Sequence, residues 1–355
     1  MLNEMTVSLD RINTRLEQTL TDIAHNIQIQ DNFTIIHPQY DPIELPAAIK
    51  ERFKQMSELV REQYLQVKLQ SLIHDCYHNC SPTTQETEKI ENQAIKWSKS
   101  EFYHQLRLNN HCQGHFEPGW LIVGMTEEGF LQVRKNDLTL HIRSERHLLP
   151  NQQNARIGDI VAVKMPPQLV EPGFYIAVGT NGSINDFQRD RTIVDVYCHV
   201  NSEGALALMD RLTVRLNKIA IPFHFKVLYY PDDYQWCDAA VLSFARDDYP
   251  QVQPILAEIY NETQSHFQPQ IPLFTKYLAP GLALAEKPPS DGSLPKTFAE
   301  HCSQLIAQGL IAAWKAHKQT PEAKLQSICD RFAEAEISLS QPYLNPGSED
   351  IYHIV

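Results

Sequence analysis

Glycine is scarce in this chain, thirteen residues in 355. No Gly-rich phosphate loop, nucleophile elbow or kinase signature can be read in it. No apolar run approaches the roughly 18 residues needed to cross a bilayer. The first residues, MLNEMTVSLDRINTRLEQ, lack a basic region followed by an apolar core, so no secretory signal is expected. The expected location is the cytoplasm, with no membrane partner. Cysteine is odd in number, seven, and scattered, which excludes a disulfide framework and reads as reduced, packed thiols. Positive charge is also in deficit: the net charge of −12 argues against a nucleic-acid partner. It would likewise repel a phosphorylated substrate unless a local basic pocket overrode it.

What is present is the texture of an ordinary globular protein. Leu9, Ile12, Leu16, Leu20, Ile23 and Ile27 recur every three or four residues, which predicts an amphipathic helix from Val7 to Ile29. Asn32 to Pro46 carries Pro38, Pro42 and Pro46 and reads as a proline-broken connector. A second helix is predicted over Ser57 to Tyr77, with Leu65, Leu69, Leu72 and Cys76 inward. A polar stretch, Ser81 to Gln93, precedes a shorter helix ending near Leu108. From Glu117 the pattern changes to short alternating runs, WLIVGM, FLQVRK, LTLHIR, DIVAVKM, GFYIAVG and TIVDVYCHV, separated by turn residues. Further helices are expected from near Ser202, over Tyr249 to His266, Thr297 to His317 and Pro321 to Ala335. Strands cluster without strict alternation with helices, so the fold class is α+β with a mainly antiparallel sheet. The division expected is a helical region, 1–110, before an α+β domain, 111–355.

Two clusters invite a metal reading and fail it. In His74-Asp75-Cys76-Tyr77-His78-Asn79-Cys80 the histidines share one helical face and the cysteines another, so four ligands cannot converge. His111 and His115 have a zinc-enzyme spacing, but Gly114 and Pro118-Gly119 break the helix such a site requires. As loop residues before a strand, both suit contact with an anion or substrate.

The stretch FKVLYYPDDYQWCDAAVLSF, 225–244, places Lys226 in an apolar run and Asp238 at the start of another. Strand alternation gives Phe223, Phe225, Val227 and Tyr229 one core face, and His224, Lys226, Leu228 and Tyr230 the other. A turn centred on Asp232 sets Lys226 opposite Asp238. Two readings stay open: a cross-strand ion pair, or a lysine whose charge is tuned for base chemistry.

This stretch, with FTKYLAPGLALAEKP (274–288), FEPGWLI (116–122), GDIVAVKMPPQLVEPGFYIAVG (158–179) and QPYLNPGSEDIYHIV (341–355), resembles the HopA-type effector family. The likeness is greatest to its cyanobacterial branch. The family resemblance implies an α+β architecture. It also implies kinship with lyases that eliminate phosphate from phosphoserine or phosphothreonine during maturation of class V lanthipeptides and thioamitide-type peptides, and with effectors that act on host immune proteins. Such elimination implies no metal or organic cofactor. It requires a base, cations for the departing phosphate and support for the enolate-like carbonyl.

Carried over on that basis, Lys226 is the base and Asp238 the group that orients it. Lys276 and Lys164 are phosphate contacts, with His111 and His115 as helpers. The implied partners are a phosphorylated peptide and a modifying kinase. In the family an arginine commonly stands two residues before the hairpin aspartate, and another closes a Ser-Phe-Gly-x-x-Arg segment. This chain has Trp236 and Cys302 there. Three functions remain in view: the lyase; a catalytically silent relative binding a peptide or partner protein; and a host-directed effector. A lyase expects the three lysines gathered in one basic pocket, and a silent relative expects them dispersed or ion-paired.

Overall fold

The computed structural model describes residues 15–78, 101–184, 191–289 and 297–353. Among these residues the expected stripes become helices, except that the first helix ends at 26 and Gln28–Ile29, expected as its last turn, form a strand. Helix α1, 15–26, buries Leu16, Leu20 and Ile23, and Ile27 follows on the same side. Leu9 and Ile12 lie outside the described residues, as does the polar stretch from Ser81 to Gln93. Helix α2, Glu58–Ile73, starts where the Ser57 hydroxyl accepts the Val60 amide, a standard N-cap. It buries Leu65, Leu69 and Leu72 and continues as one π-helical turn, His74–His78. Helix α3 covers Glu101–Asn109.

The proline-rich connector is not structureless. It holds β2, Ile35–His37, and β3, Tyr40–Ile43, which pair with β1, Gln28–Ile29. Pro42 fits because β3 is an edge strand, where a missing amide donor is tolerated.

A four-stranded antiparallel sheet follows, in the order β6-β5-β4-β7. Its strands are β4 Phe116–Met125, β5 Leu131–Lys135, β6 Leu138–Ile142 and β7 Ile160–Lys164. It has its own small core of Trp120, Ile122, Val133, Ile142, Leu148, Val161 and Val163.

The central element is a seven-stranded antiparallel sheet ordered β13-β14-β10-β12-β11-β9-β8. Its strands are β8 Gln168–Glu171, β9 Phe174–Val178, β10 Ile193–Cys198, β11 Phe223–Leu228, β12 Ala240–Ala245, β13 Lys276–Ala279 and β14 Leu282–Glu286. Helices α4, Ser202–Lys218, and α5, Tyr249–Thr263, pack on one face. There Phe223, Phe225, Phe244, Val194 and Val196 are all buried. The other face carries polar side chains and is partly covered by the π-helical turn and by α6, Phe298–Lys315. Helix α7, Pro321–Glu334, packs on α6. At Gly309 a Cβ would lie 2.6 Å from Ile328 Cα, so a side chain there would push these two helices apart. The fold is α+β, as the sequence pattern implied.

One apolar cluster joins α1, α2 and both faces of the large sheet. Among the described residues no helix is long and apolar enough to cross a membrane.

Candidate functional site

Strand register decides which polar side chains meet. Across the sheet, Asp195 of β10 is the partner of Ser243 of β12, and Ser243 of His224 in β11. One pleat further, Tyr197 faces Val241 and Val241 faces Lys226. All of these project to the polar face, because alternate residues share a side.

Lys226 is therefore opposite Val241, not Asp238. The tight turn expected at Asp232 is replaced by a wider loop. A 3-10 turn at Pro231–Asp233 is followed by closure at the Leu228 amide, which donates to the Ala239 carbonyl at 3.1 Å. The Tyr234 hydroxyl locks the loop by donating to the Leu228 carbonyl at 2.5 Å. The register slips three residues, and Asp238 leaves the strand. The Lys226 ammonium instead lies 3.3 Å from Glu171 and 3.9 Å from the centre of the Phe174 ring. The Lys226 charge still reaches Asp238.

Asp238 sits in a cluster that forms only in three dimensions. Burial pushes its carboxyl up, opposed by the charges of His74, Lys226 and His199. Burial alone would lower His74, but its contact with Asp75 at 3.3 Å and the charges of Asp238 and Glu300 leave it raised. His199 is lowered, chiefly by burial. Tyr197, buried and edge-on to His78 at 6.4 Å, feels Asp238, Glu300 and Cys302. Two buried atoms in this cluster lack a hydrogen-bond partner: Asp238 Oδ1 and His199 Nε2. Buried polar atoms are nearly always paired, so these two orphans single out the cluster as the candidate site.

Trp236 is half-buried against the core, and Cys302 is fully buried, with burial pushing its thiol well up. Neither supplies charge where the family resemblance implies guanidinium groups.

The other expected contacts do not join this cluster. Lys276 projects from the opposite face and pairs with Asp350 at 2.5 Å, beneath the Tyr343 ring. Lys164 is exposed on the four-stranded sheet, opposite Phe116. His111 contacts Asp210 at 2.8 Å beside α4. His115 is buried and lines a separate pocket of about 530 Å³ with Phe116, Pro118, Lys135 and Thr180. The three lysines are dispersed, two of them ion-paired. His74 and His78 do share a face, with ring centres 5.2 Å apart. Among the described residues no group of three metal-capable side chains forms; Cys80 lies outside them.

Lys276 carries a pH prediction. Burial alone would raise Asp350, but hydrogen bonds from Lys276 and Tyr343 leave its pKa lowered. A carboxyl depressed on folding contributes stability above its unfolded value of roughly 3.9, and that stability is lost as pH falls through the folded value. The Tm deficit of Asp350→Asn should be full at neutral pH and shrink below about pH 4, as thermal melts across pH will show.

Sequence reasoning missed Asp195, Ser243, Lys287, His224 and Ser183. The Ser243 hydroxyl donates to Asp195 at 2.5 Å, and Lys287 lies 3.4 Å from the same oxygen. Beside them His224 contacts the Ser183 hydroxyl at 2.9 Å, and burial drives its pKa down to about 3. The signal was available: TIVDVYCHV alternates Asp195, Tyr197 and His199 on one side of an apolar strand.

The HopA1 effector protein family matches over residues 165–344, which span the large sheet and all of α7. The chain belongs to the HopA1 effector protein family. Among solved structures, it is similar to an effector protein from Pseudomonas syringae pv. tomato, at 16% identity and TM-score 0.42, covering 83% of this chain and 93% of that one. A second, from Pseudomonas syringae pv. syringae, gives 14% and 0.41, with 81% and 96% covered. No curated protein matches.

Proposed function

We propose that this HopA1-family chain binds a peptide segment of a partner over the polar face of its large sheet and does not eliminate phosphate from it. The observation that carries the reading is the dispersal of the cations. A leaving phosphate dianion needs several positive groups at one point, and Lys226, Lys276 and Lys164 lie at three separate places. Lys226, the lysine whose charge reaches Asp238, already faces the exposed carboxylate of Glu171, which would repel phosphate. Trp236 and buried Cys302 supply no guanidinium at the two positions where the family resemblance implies one. For a peptide the surroundings are better suited. Phe174 and Trp236 are half-buried, and β8 is an edge strand with Leu169 and Val170 exposed, the kind of edge to which an extended segment adds.

The second reading is a lyase acting on phosphoserine or phosphothreonine in a precursor peptide supplied by a partner kinase. It is favoured by one observation, the electrostatic coupling of Lys226 and Asp238 beside an incompletely satisfied polar site.

The two readings separate by affinity. A peptide pool carrying phosphothreonine and the same pool unphosphorylated should bind within about tenfold of each other, or 1.4 kcal/mol, when titrated by calorimetry. A preference of about a thousandfold for the phosphorylated pool would reveal a clamp of the strength seen in phosphoryl sites and overturn the proposal.

A further inference from the structure

The two orphaned atoms of the Asp238 cluster have the same hydrogen-bond sense. His199 Nδ1 lies 3.1 Å from the Gln270 carbonyl oxygen. A carbonyl only accepts, so Nδ1 carries the proton and Nε2 of the neutral ring is a bare acceptor. Asp238 Oδ1, as a carboxylate oxygen, is a second acceptor. Both are buried without a partner, and they come from different segments, the loop before β12 and the residue after β10. The pairing of Cys198 with Ala240 brings these two segments together, and two neighbouring acceptors are satisfied by a group with several N–H donors and no lone pair. Ammonium and guanidinium are the side-chain groups of that kind.

The charges around the pair allow such a group. Asp75, Asp238 and Glu300 face His74, with Lys226 as the further cation acting on Asp238. The whole chain, at −12, attracts a basic partner. Asp238 as a residue is only half-buried although its Oδ1 is covered, and Trp236 stands two residues away.

We infer that Asp238 Oδ1 and His199 Nε2 form the floor of a subsite for the cationic end of a lysine or arginine side chain in the bound peptide. This rests on the peptide-binding reading and names the chemistry that the site selects. The ammonium or guanidinium donates to both acceptors, while the aliphatic stem lies along the neighbouring aromatic rings, as long basic side chains do.

The test uses three blocked tripeptides, acetyl-Gly-Lys-Gly-amide, acetyl-Gly-Arg-Gly-amide and acetyl-Gly-norleucine-Gly-amide, titrated into the full chain while histidine ring resonances are followed by NMR. At least one basic peptide is expected to bind about tenfold or more tightly than the norleucine peptide, in the range for a hydrogen bond to a charged group. It should shift the His199 resonances, and Asp238→Asn should abolish the preference. The ratio of the lysine to the arginine peptide tells which head group fits. Since His199 also holds the Gln270 carbonyl, His199→Asn is read beside a thermal melt, and only a folded variant counts. Equal binding of all three peptides would overturn the subsite and leave peptide binding intact. Binding of the longer peptide pool with no tripeptide response at His199 would also overturn it. Failure of the pool itself to bind would defeat the peptide-binding reading as well.

Discussion

Arg246→Met is expected to destabilise the chain by about 3–5 kcal/mol, the range for removing one member of a buried ion pair. Glu286, at the end of β14, has a side chain with 0% exposure, and Arg246 Nε lies 3.0 Å from it. Its carboxylate also accepts the Tyr352 hydroxyl at 2.8 Å and the Asn345 amide at 2.9 Å. Arg246 donates further to the Glu349 carbonyl at 2.6 Å. This network, together with Tyr343, Leu344 and Tyr352 buried in the core, holds the segment 341–353 against the sheet. Methionine keeps the aliphatic volume but leaves an uncompensated carboxylate in the interior. Adding Glu286→Leu should recover much of the loss, because two apolar groups need no solvation. Urea unfolding at pH 7 measures both variants. A loss under 1 kcal/mol for the single variant would mean that the carboxylate is solvated or protonated, and the network description would fail.

Phe225→Ala should cost about 3–5 kcal/mol, as for other buried aromatic truncations, whereas Lys226→Ala one residue along should cost at most about 1 kcal/mol. Phe225 is at 0% exposure on the apolar face. Lys226, with a side chain about one-third exposed, touches Glu171 and Phe174 on the other face. The contrast tests the strand register directly, since a slip of one residue would exchange the two faces. It also bears on the role of Lys226, because a lysine that contributes little to stability is free to serve a ligand. If Lys226→Ala were as damaging as Phe225→Ala, Lys226 would be a structural residue and the binding face would need relocating.

Much of this fold was legible because its elements are locally consistent. Leu65, Leu69 and Leu72 repeat at helical spacing and are buried at that spacing. Phe223, Phe225 and Val227 alternate and are buried in alternation. β2 and β3 were not legible, since two prolines within a few residues outweighed strands of three and four residues.

The candidate site was half legible. Lys226 and Asp238 stood out as ionisable residues in apolar runs, and their charges do interact. Their pairing depended on the turn, however, and the turn is held by Tyr234 reaching back to Leu228, a tertiary contact with no sequence period. His74 and His199 arrive from distant segments: the packing of the π-helical turn against the sheet brings in His74, and the pairing of Cys198 with Ala240 brings in His199. Lys276 stands in a segment that matches the family resemblance, but strand parity places it on the opposite face, where it secures the chain end through Asp350.

The most direct test of the central claim is the mass of the phosphothreonine peptides recovered after incubation with the purified chain, beside a Lys226→Ala control. The account predicts peptides that bind and return with their phosphate intact from both proteins. Loss of phosphoric acid with the wild type but not with Lys226→Ala would contradict it, and would make the polar face a lyase centre despite its dispersed cations.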